Sequence, residues 1–180
     1  MRLKALLLFS SLLLGACGWH LRGITPLPPE YRVLYVQSQA GANFDRQLNL
    51  QMTFNDVVLA KEAADAQATL SIAPLEIEQR ALSLASTGKI AEYEINGRLL
   101  ATLRRYGSDR EVQIELRARR RLSNDINNVQ GTANAATKQI ADLEKDLVGK
   151  LLRRLQHIDY AKDSQPIEAK EAAPSFEGLK

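Results

Sequence analysis

Apolar side chains recur along the chain with three different periods, and each period predicts a different structure. Residues Ala5 to Leu14 are apolar except for Ser10 and Ser11. At about ten residues this run is too short to span a bilayer, which needs roughly 20. From Tyr31 to Val36 the β-forming residues Tyr, Val and Leu crowd together, ended by the polar Gln37–Gly41 stretch, which predicts a strand. Phe44, Leu48 and Met52 then repeat every four residues, predicting a helix capped by Asn43 and stopped at Asn55-Asp56. Val57-Val58-Leu59 reads as a short extended piece.

Alternation takes over from Ala68 to Leu84, where Leu70 and Ile72 share one phase and Leu75 and Ile77 the other. Pro74 sits at the switch, as expected of a bend or bulge at a sheet edge. Ser86-Thr87-Gly88-Lys89 is a turn signal. Tyr93 to Tyr106 predicts a second long strand, with Leu99, Ala101 and Leu103 on one face, and Gly107-Ser108-Asp109 a second turn. The clearest alternation follows. Val112, Ile114, Leu116 and Ala118 point to one side, and Gln113, Glu115, Arg117 and Arg119 to the other. Short turns between long strands imply an antiparallel meander. After the polar, irregular Ser123–Gly131 stretch, a helical period runs from Asn134. Ile140, Leu143, Leu147, Leu151 and Leu155 form the stripe, Val148 and Leu152 widen it, and Lys138, Asp142, Lys145 and Arg153 face water.

Together these elements predict an α+β, two-layer sandwich: two helices packed on one face of a mainly antiparallel four-stranded sheet. Residues 31–160 would form the single domain. Residues 17–30 read as a linker, because Pro26, Pro28 and Pro29 forbid helix there. Residues 161–180, rich in Ala, Lys, Glu and Pro, read as a disordered tail.

The first apolar run has a chemical meaning. Arg2 and Lys4 precede it, and it ends in Leu14-Gly15-Ala16-Cys17, the pattern a lipoprotein signal peptidase cuts. Leu14 fills an apolar subsite, and Gly15 and Ala16 let the backbone enter a tight cleft. Residues 1–16 are therefore expected to be a signal peptide and Cys17 the lipidation site. Cys17 is the only cysteine, so no internal disulfide forms. Acyl chains contribute about 0.8 kcal/mol per buried methylene, and two or three of them hold a protein stably at a membrane. Gly18, where an aspartate would favour the inner membrane, points to the outer membrane.

Removing the leader takes Arg2 and Lys4 with it and lowers the net charge from +3 to +1. That balance gives no support for a nucleic-acid partner. His20 and His157 are the only histidines, neither at metal-ligand spacing, and no nucleophile elbow or phosphate loop is present. No enzyme, metal or cofactor is expected. His157, near a helix C-terminus, suits the helix dipole. Charge concentrates instead between Arg104 and Arg121, where seven arginines face three acids. Guanidinium forks suit phosphate and carboxylate oxygens. The same run reads equally well as a solvated strand face with cross-strand ion pairs.

Behind the cysteine stands Cys17-Gly18-Trp19-His20-Leu21-Arg22-Gly23. This run, the strand from Tyr31, the Thr87–Tyr93 turn and strand, and the Leu151-Leu152-Arg153-Arg154-Leu155 helix end resemble the LptE family of lipopolysaccharide-assembly lipoproteins. The resemblance covers most of residues 1 to about 160. It implies a two-layer sandwich that plugs the large β-barrel protein LptD, helps it assemble, binds lipopolysaccharide and assists its delivery to the cell surface. It also implies outer-membrane attachment facing the periplasm and the barrel lumen. Some relatives carry a basic residue just before the turn, where this chain has Ser86. Lys89 is then the nearest substitute, with Thr87 adding a hydroxyl, and Arg117 and Arg119 are the second candidates for lipopolysaccharide. The other classes left open are a generic outer-membrane lipoprotein scaffold with another envelope partner and a lipid-anchored hydrolase.

Cys17→Ala is expected to yield an uncleaved or soluble form without acyl chains. Intact-mass measurement of the wild-type protein checks this, and an unmodified mature N-terminus there would refute lipidation.

Overall fold

The structure, a computed structural model, describes residues 27–125 and 127–167. The leader, Cys17, the Trp19–Gly23 run and residues 168–180 lie outside the described residues. Seven strands form one mixed sheet: β1 (Val33–Ser38), β2 (Val58–Leu59), β3 (Ala68–Ile72), β4 (Glu76–Leu84), β5 (Ile90–Arg105), β6 (Arg110–Ser123) and β7 (Gln165–Pro166). Helix α1 spans Ala42–Phe54, α2 spans Val129–Gln156, and α3 is the single turn Tyr160–Asp163.

The expected mainly antiparallel, four-stranded sheet is corrected in two ways. The order is β2-β1-β3-β5-β6-β7, with β1 parallel to both β2 and β3. The crossover through α1 makes parallel pairing possible, since a strand returning after a helix enters in the same direction. Second, the long extended stretch is two strands. β3 pairs with Ala101–Arg105 of β5, and β4 pairs with Ile90–Arg98 on the same edge. The break is at Ala73-Pro74-Leu75, where Pro74 has no amide to give to a ladder. β4, β5 and β6 form the antiparallel meander expected from the turns.

Strand β5 is the spine. Its 16 residues span about 50 Å at 3.3 Å per residue. Its odd positions Ile95, Leu99, Ala101 and Leu103, with Val112, Ile114, Ala118 and Leu122 of β6, are buried beneath the helices. Leu143, Leu147, Val148, Leu151, Leu152 and Leu155 of α2 cover them, and Phe44, Leu48 and Met52 of α1 complete the core. Each fully buried Leu or Phe of this kind stabilises by about 1.5–3 kcal/mol. A Cβ on Gly97 would lie 2.4 Å from Leu143 Cδ2, so only glycine lets α2 approach β5 this closely. β4 extends past the helices and is exposed on both faces except at Ser83.

Several boundaries differ from expectation. Tyr31 belongs to a 3₁₀ turn, Pro29–Tyr31, rather than to β1, with Pro29 where the first turn tolerates it. Gly41, not Asn43, occupies the N-cap of α1. α2 begins five residues early because Asn128 Oδ1 accepts from the Gly131 amide at 2.9 Å. The ordered domain also runs from Leu27, 1 % exposed, to Ile167. Residues 161–167 are held down rather than disordered. Arg110 donates to the Ser164 hydroxyl at 2.9 Å and to its carbonyl, and the Tyr160 hydroxyl donates to the Arg110 carbonyl. Arg105 stacks 5.3 Å from the Tyr160 ring centre. Polar anchoring of this kind leaves no apolar period to read. Among the described residues no helix is long and apolar enough to cross a membrane.

Leu147→Ala is expected to cost about 2–5 kcal/mol, as cavities in tight cores do. Gly97→Ala should cost about 1–3 kcal/mol by overpacking, and Leu143→Ala in the same chain should return part of that loss. Urea unfolding of the single and double variants measures both effects; additive costs at 97 and 143 would contradict the close approach.

Candidate functional site

The helices cover one face of the sheet and leave the other open. Even positions of β4 and β5 and odd positions of β6 project there, and the register sets them in rows. Glu76, Arg98 and Arg117 lie across one row, Glu78, Asn96 and Arg119 across the next, and Arg80, Glu94 and Arg121 across the third. Of these, all but Glu94 and Arg121 border a broad groove of about 1080 Å³, which Lys150 of α2 also lines.

Two carboxylates organise these rows. Glu94, only 7 % exposed, accepts from Arg80 at 3.0 and 2.6 Å and from Asn96 at 3.2 Å. Arg80, then Asn96, hold its carboxyl below the usual range, against the opposing effect of desolvation. Glu115 takes three guanidinium N–H groups on one oxygen: two from Arg117 at 2.9 and 2.7 Å and one from Arg98 at 3.0 Å. Those bonds, Arg117's first, depress the Glu115 carboxyl as well. Arg98 also reaches Glu76 at 3.4 Å.

The arginine run therefore divides by parity and partner. Arg120 lies on the helix side, donating to the Asp142 carbonyl and to Asp146. Arg105 pairs with Glu30, Arg110 clasps Ser164, and Arg117 is neutralised by Glu115. Arg119 and Arg121 are exposed, and among the described residues their guanidinium groups make no hydrogen bond or ion pair. Of the two expected strand sites, Arg117 is bonded to a carboxylate, whereas Arg119 acts on Glu94 only through its field. Arg121 belongs to the arginine run picked out in the sequence; what the sequence did not single out are Arg80, Arg98 and the pairing roles of Glu94 and Glu115. Alternation gives their face, but only the register shows which charges meet.

Ser86, Thr87 and Lys89 are placed elsewhere. They form the exposed tip of the β4–β5 hairpin, closed by the Gly88 amide on the Ala85 carbonyl at 2.9 Å and the Ala85 amide on the Lys89 carbonyl at 2.7 Å. Gly88, with φ +76°, supplies the left-handed residue of this three-residue loop. Lys89 is seven residues along β5 from Asn96, the neighbour of Arg119, or about 23 Å. The tip and the arginine rows are two places on the molecule. Among the described residues no group of three or more His, Cys, Asp or Glu stands close enough to hold a metal. His157 Nδ1 lies 2.7 Å from the Arg153 carbonyl at the end of α2.

A family model described as LptE, lipopolysaccharide-assembly, matches residues 31–155. The chain belongs to the LptE family. LptE is a lipoprotein family of outer-membrane lipopolysaccharide assembly and is not catalytic. Solved structures share the fold. Rare lipoprotein B from Shewanella oneidensis superimposes with a TM-score of 0.62 at 18% identity, over 68% of this chain and 92% of that one. An uncharacterized lipoprotein B from Nitrosomonas europaea gives 0.62 at 25% identity, over 77% and 90%. A minor lipoprotein from Acinetobacter baumannii gives 0.59 at 18% identity, over 73% and 93%. No curated protein matches the chain by sequence.

The LptE sheet face is expected to carry an acid limb in its stability. Glu94 and Glu115 have lowered carboxyl pKa values. Their stabilisation is full above the ordinary value of about 4.3 and is lost as pH falls through the lowered values. Glu94→Gln and Glu115→Gln should each flatten this limb in thermal melts taken from neutral to acid pH; an unchanged limb in both would rule out these pairs as its source.

Proposed function

We infer that this LptE chain is held at the outer membrane by lipid on Cys17, seats within the LptD barrel, helps that barrel assemble, and binds lipopolysaccharide for delivery to the outer leaflet. The observation that carries the reading is the open sheet face. A family member of lipopolysaccharide assembly presents two exposed guanidinium groups, Arg119 and Arg121, that no side-chain hydrogen bond or ion pair occupies among the described residues, beside a Glu94 carboxylate already held by Arg80 and Asn96. Phosphate oxygens on a lipid headgroup are the acceptors such forks fit best. Lys89 adds a second cationic point at the hairpin tip, with the Ser86 and Thr87 hydroxyls beside it. Arg117, already satisfied by Glu115, contributes shape and orientation more than free charge.

Stable seating in a barrel requires a large contact, over about 2,000 Å² for an obligate complex. The open face, the β4–β5 hairpin and its exposed edge supply surface of that kind without uncovering the core. A lipid tether would raise the effective concentration of each partner for the other.

Arg119→Glu combined with Arg121→Glu is expected to weaken lipopolysaccharide retention about tenfold, the loss of one or two charge-assisted bonds. Lys89→Glu should weaken it less. Stability should move by less than about 0.5 kcal/mol in each case, as for exposed substitutions generally. Retention on immobilised lipopolysaccharide measures the first effect. Tagged protein extracted from outer membranes in mild detergent should bring down one β-barrel protein in about equal amount. Recovery alone at native expression would remove the plug reading and favour a generic lipoprotein scaffold.

A further inference from the structure

The two ends of the β5 spine differ in what they present and in how close they lie to Leu27, the first described residue. At one end the first described residues are fastened to the sheet. Leu27 and Tyr31 are each 1 % exposed, and Glu30 pairs with Arg105 at the last position of β5. Burial pushes the Tyr31 phenol up to about 12, so it stays neutral within that seam. Ten residue steps separate Cys17 from Leu27, a reach of at most about 36 Å.

This same end carries apolar side chains that nothing covers. Backbone hydrogen bonds line its residues up across the sheet. The Tyr106 amide donates to the Gln67 carbonyl at 2.9 Å, Gln67 to Val33 at 2.9 Å, and Val58 to Arg32 at 2.7 Å. Tyr106 is 69 % exposed and Val58 59 %. Three inter-strand steps of about 4.8 Å put them roughly 14 Å apart. α1 runs back toward this end, and Phe54, its last residue, is 59 % exposed. Charges here are mixed: Arg32, Lys61 and Arg104 stand among Asp56, Glu62 and Asp65, all exposed.

We propose that this pole, led by Phe54, Val58 and Tyr106, is a lipid-docking surface that rests in the membrane interface beside the acylated Cys17. The proposal rests on the reading of Cys17 as the anchor. A tether of this length holds the pole within reach of the bilayer, so even modest apolar contact suffices. Phe gives apolar area, and Tyr places a ring in the interface while its hydroxyl stays wet. Mixed charge makes the contact largely indifferent to salt and to anionic lipid. The hairpin tip at Ser86–Lys89, at the far end of β5, is thereby pointed away from the anchoring leaflet.

The test separates docking from natural acylation by supplying the tether chemically. The mature chain, in a Trp19→Phe background that removes its only tryptophan, is coupled through Cys17 to a maleimide lipid. The host vesicles contain phosphatidylethanolamine and phosphatidylglycerol with brominated acyl chains. A single tryptophan is placed as Phe54→Trp, Tyr106→Trp or, at the opposite end, Leu84→Trp, each variant first checked for native circular dichroism. Several-fold stronger bromine quenching at 54 and 106 than at 84, retained in high salt, is the expected result. A Val58→Trp reporter should lose its quenching when Phe54→Ser and Tyr106→Ser are added. Equal quenching at all positions, or none at 54 and 106, overturns the proposal. So does photocrosslinking of positions 54 and 106 to a protein instead of lipid in intact outer membranes. Mass measurement of the natively expressed chain decides the acylation of Cys17 independently.

Discussion

The contact between Leu143 and the bare backbone at Gly97 sets the geometry on which everything else depends. A helix normally stands off a sheet by the thickness of both sets of side chains. Here the sheet contributes none at the crossing point, and α2 settles onto β5 and β6 with Leu143 wholly buried. That close seat decides which face of the meander is core. Once the odd positions of β5 are committed to the helix, the even ones between 94 and 98 face outward, because side chains alternate along a regularly paired strand. Glu94, Asn96 and Arg98 are thereby brought into line with Arg119, Arg121 and Arg117. The open charged face follows from a missing methyl group on the other side of the same strand.

How legible this was varied with the physics behind each element. The alternation of Val112, Ile114, Leu116 and Ala118 and the stripe of α2 read directly, because one-sided burial writes its period into the chain. Pro74 marked the point where β3 gives way to β4. The strand count and the parallel pairing of β1 did not read, because they are set by contacts distant in sequence and leave no local period. The segment 161–167 was missed for a different reason. It is held by Arg110, Tyr160 and Ser164 through hydrogen bonds, and such bonds need single residues, not a pattern. Asn128 was a readable cap signal, but it was masked by the polar run around it.

The candidate site shows the same division. Composition located the arginine-rich stretch, and parity assigned Arg117 and Arg119 to one face. Neither could tell a satisfied guanidinium from a free one. Glu115 collects Arg98 and Arg117 on one oxygen and Glu94 collects Arg80, while Arg119 and Arg121 flank Glu94 without bonding to it. Exposed ion pairs contribute little to stability, about 0–1 kcal/mol each. Their larger effect here is to set where the remaining positive field sits. A row of unpaired arginines would repel itself and attract any anion. Partial neutralisation narrows the free charge to two neighbouring forks, a more selective arrangement for a ligand bearing phosphates at fixed positions.

The length of β5 adds the last constraint. A strand of about 50 Å bridges two different poles: buried Leu27, the Arg105–Glu30 pair and exposed rings at one, a glycine-closed hairpin with polar tip residues and an exposed Leu84 at the other. The arginine rows lie between them, on the half of β5 that pairs with β4 and on the face opposite the α2 crossing. A rigid ladder cannot bend these regions toward each other, so an object that meets both the anchor end and the hairpin tip must itself be tens of ångströms deep. A membrane with a barrel standing in it has that depth, about 40–45 Å including headgroups. The proposed anchor at Cys17 and the proposed barrel seat fit those proportions.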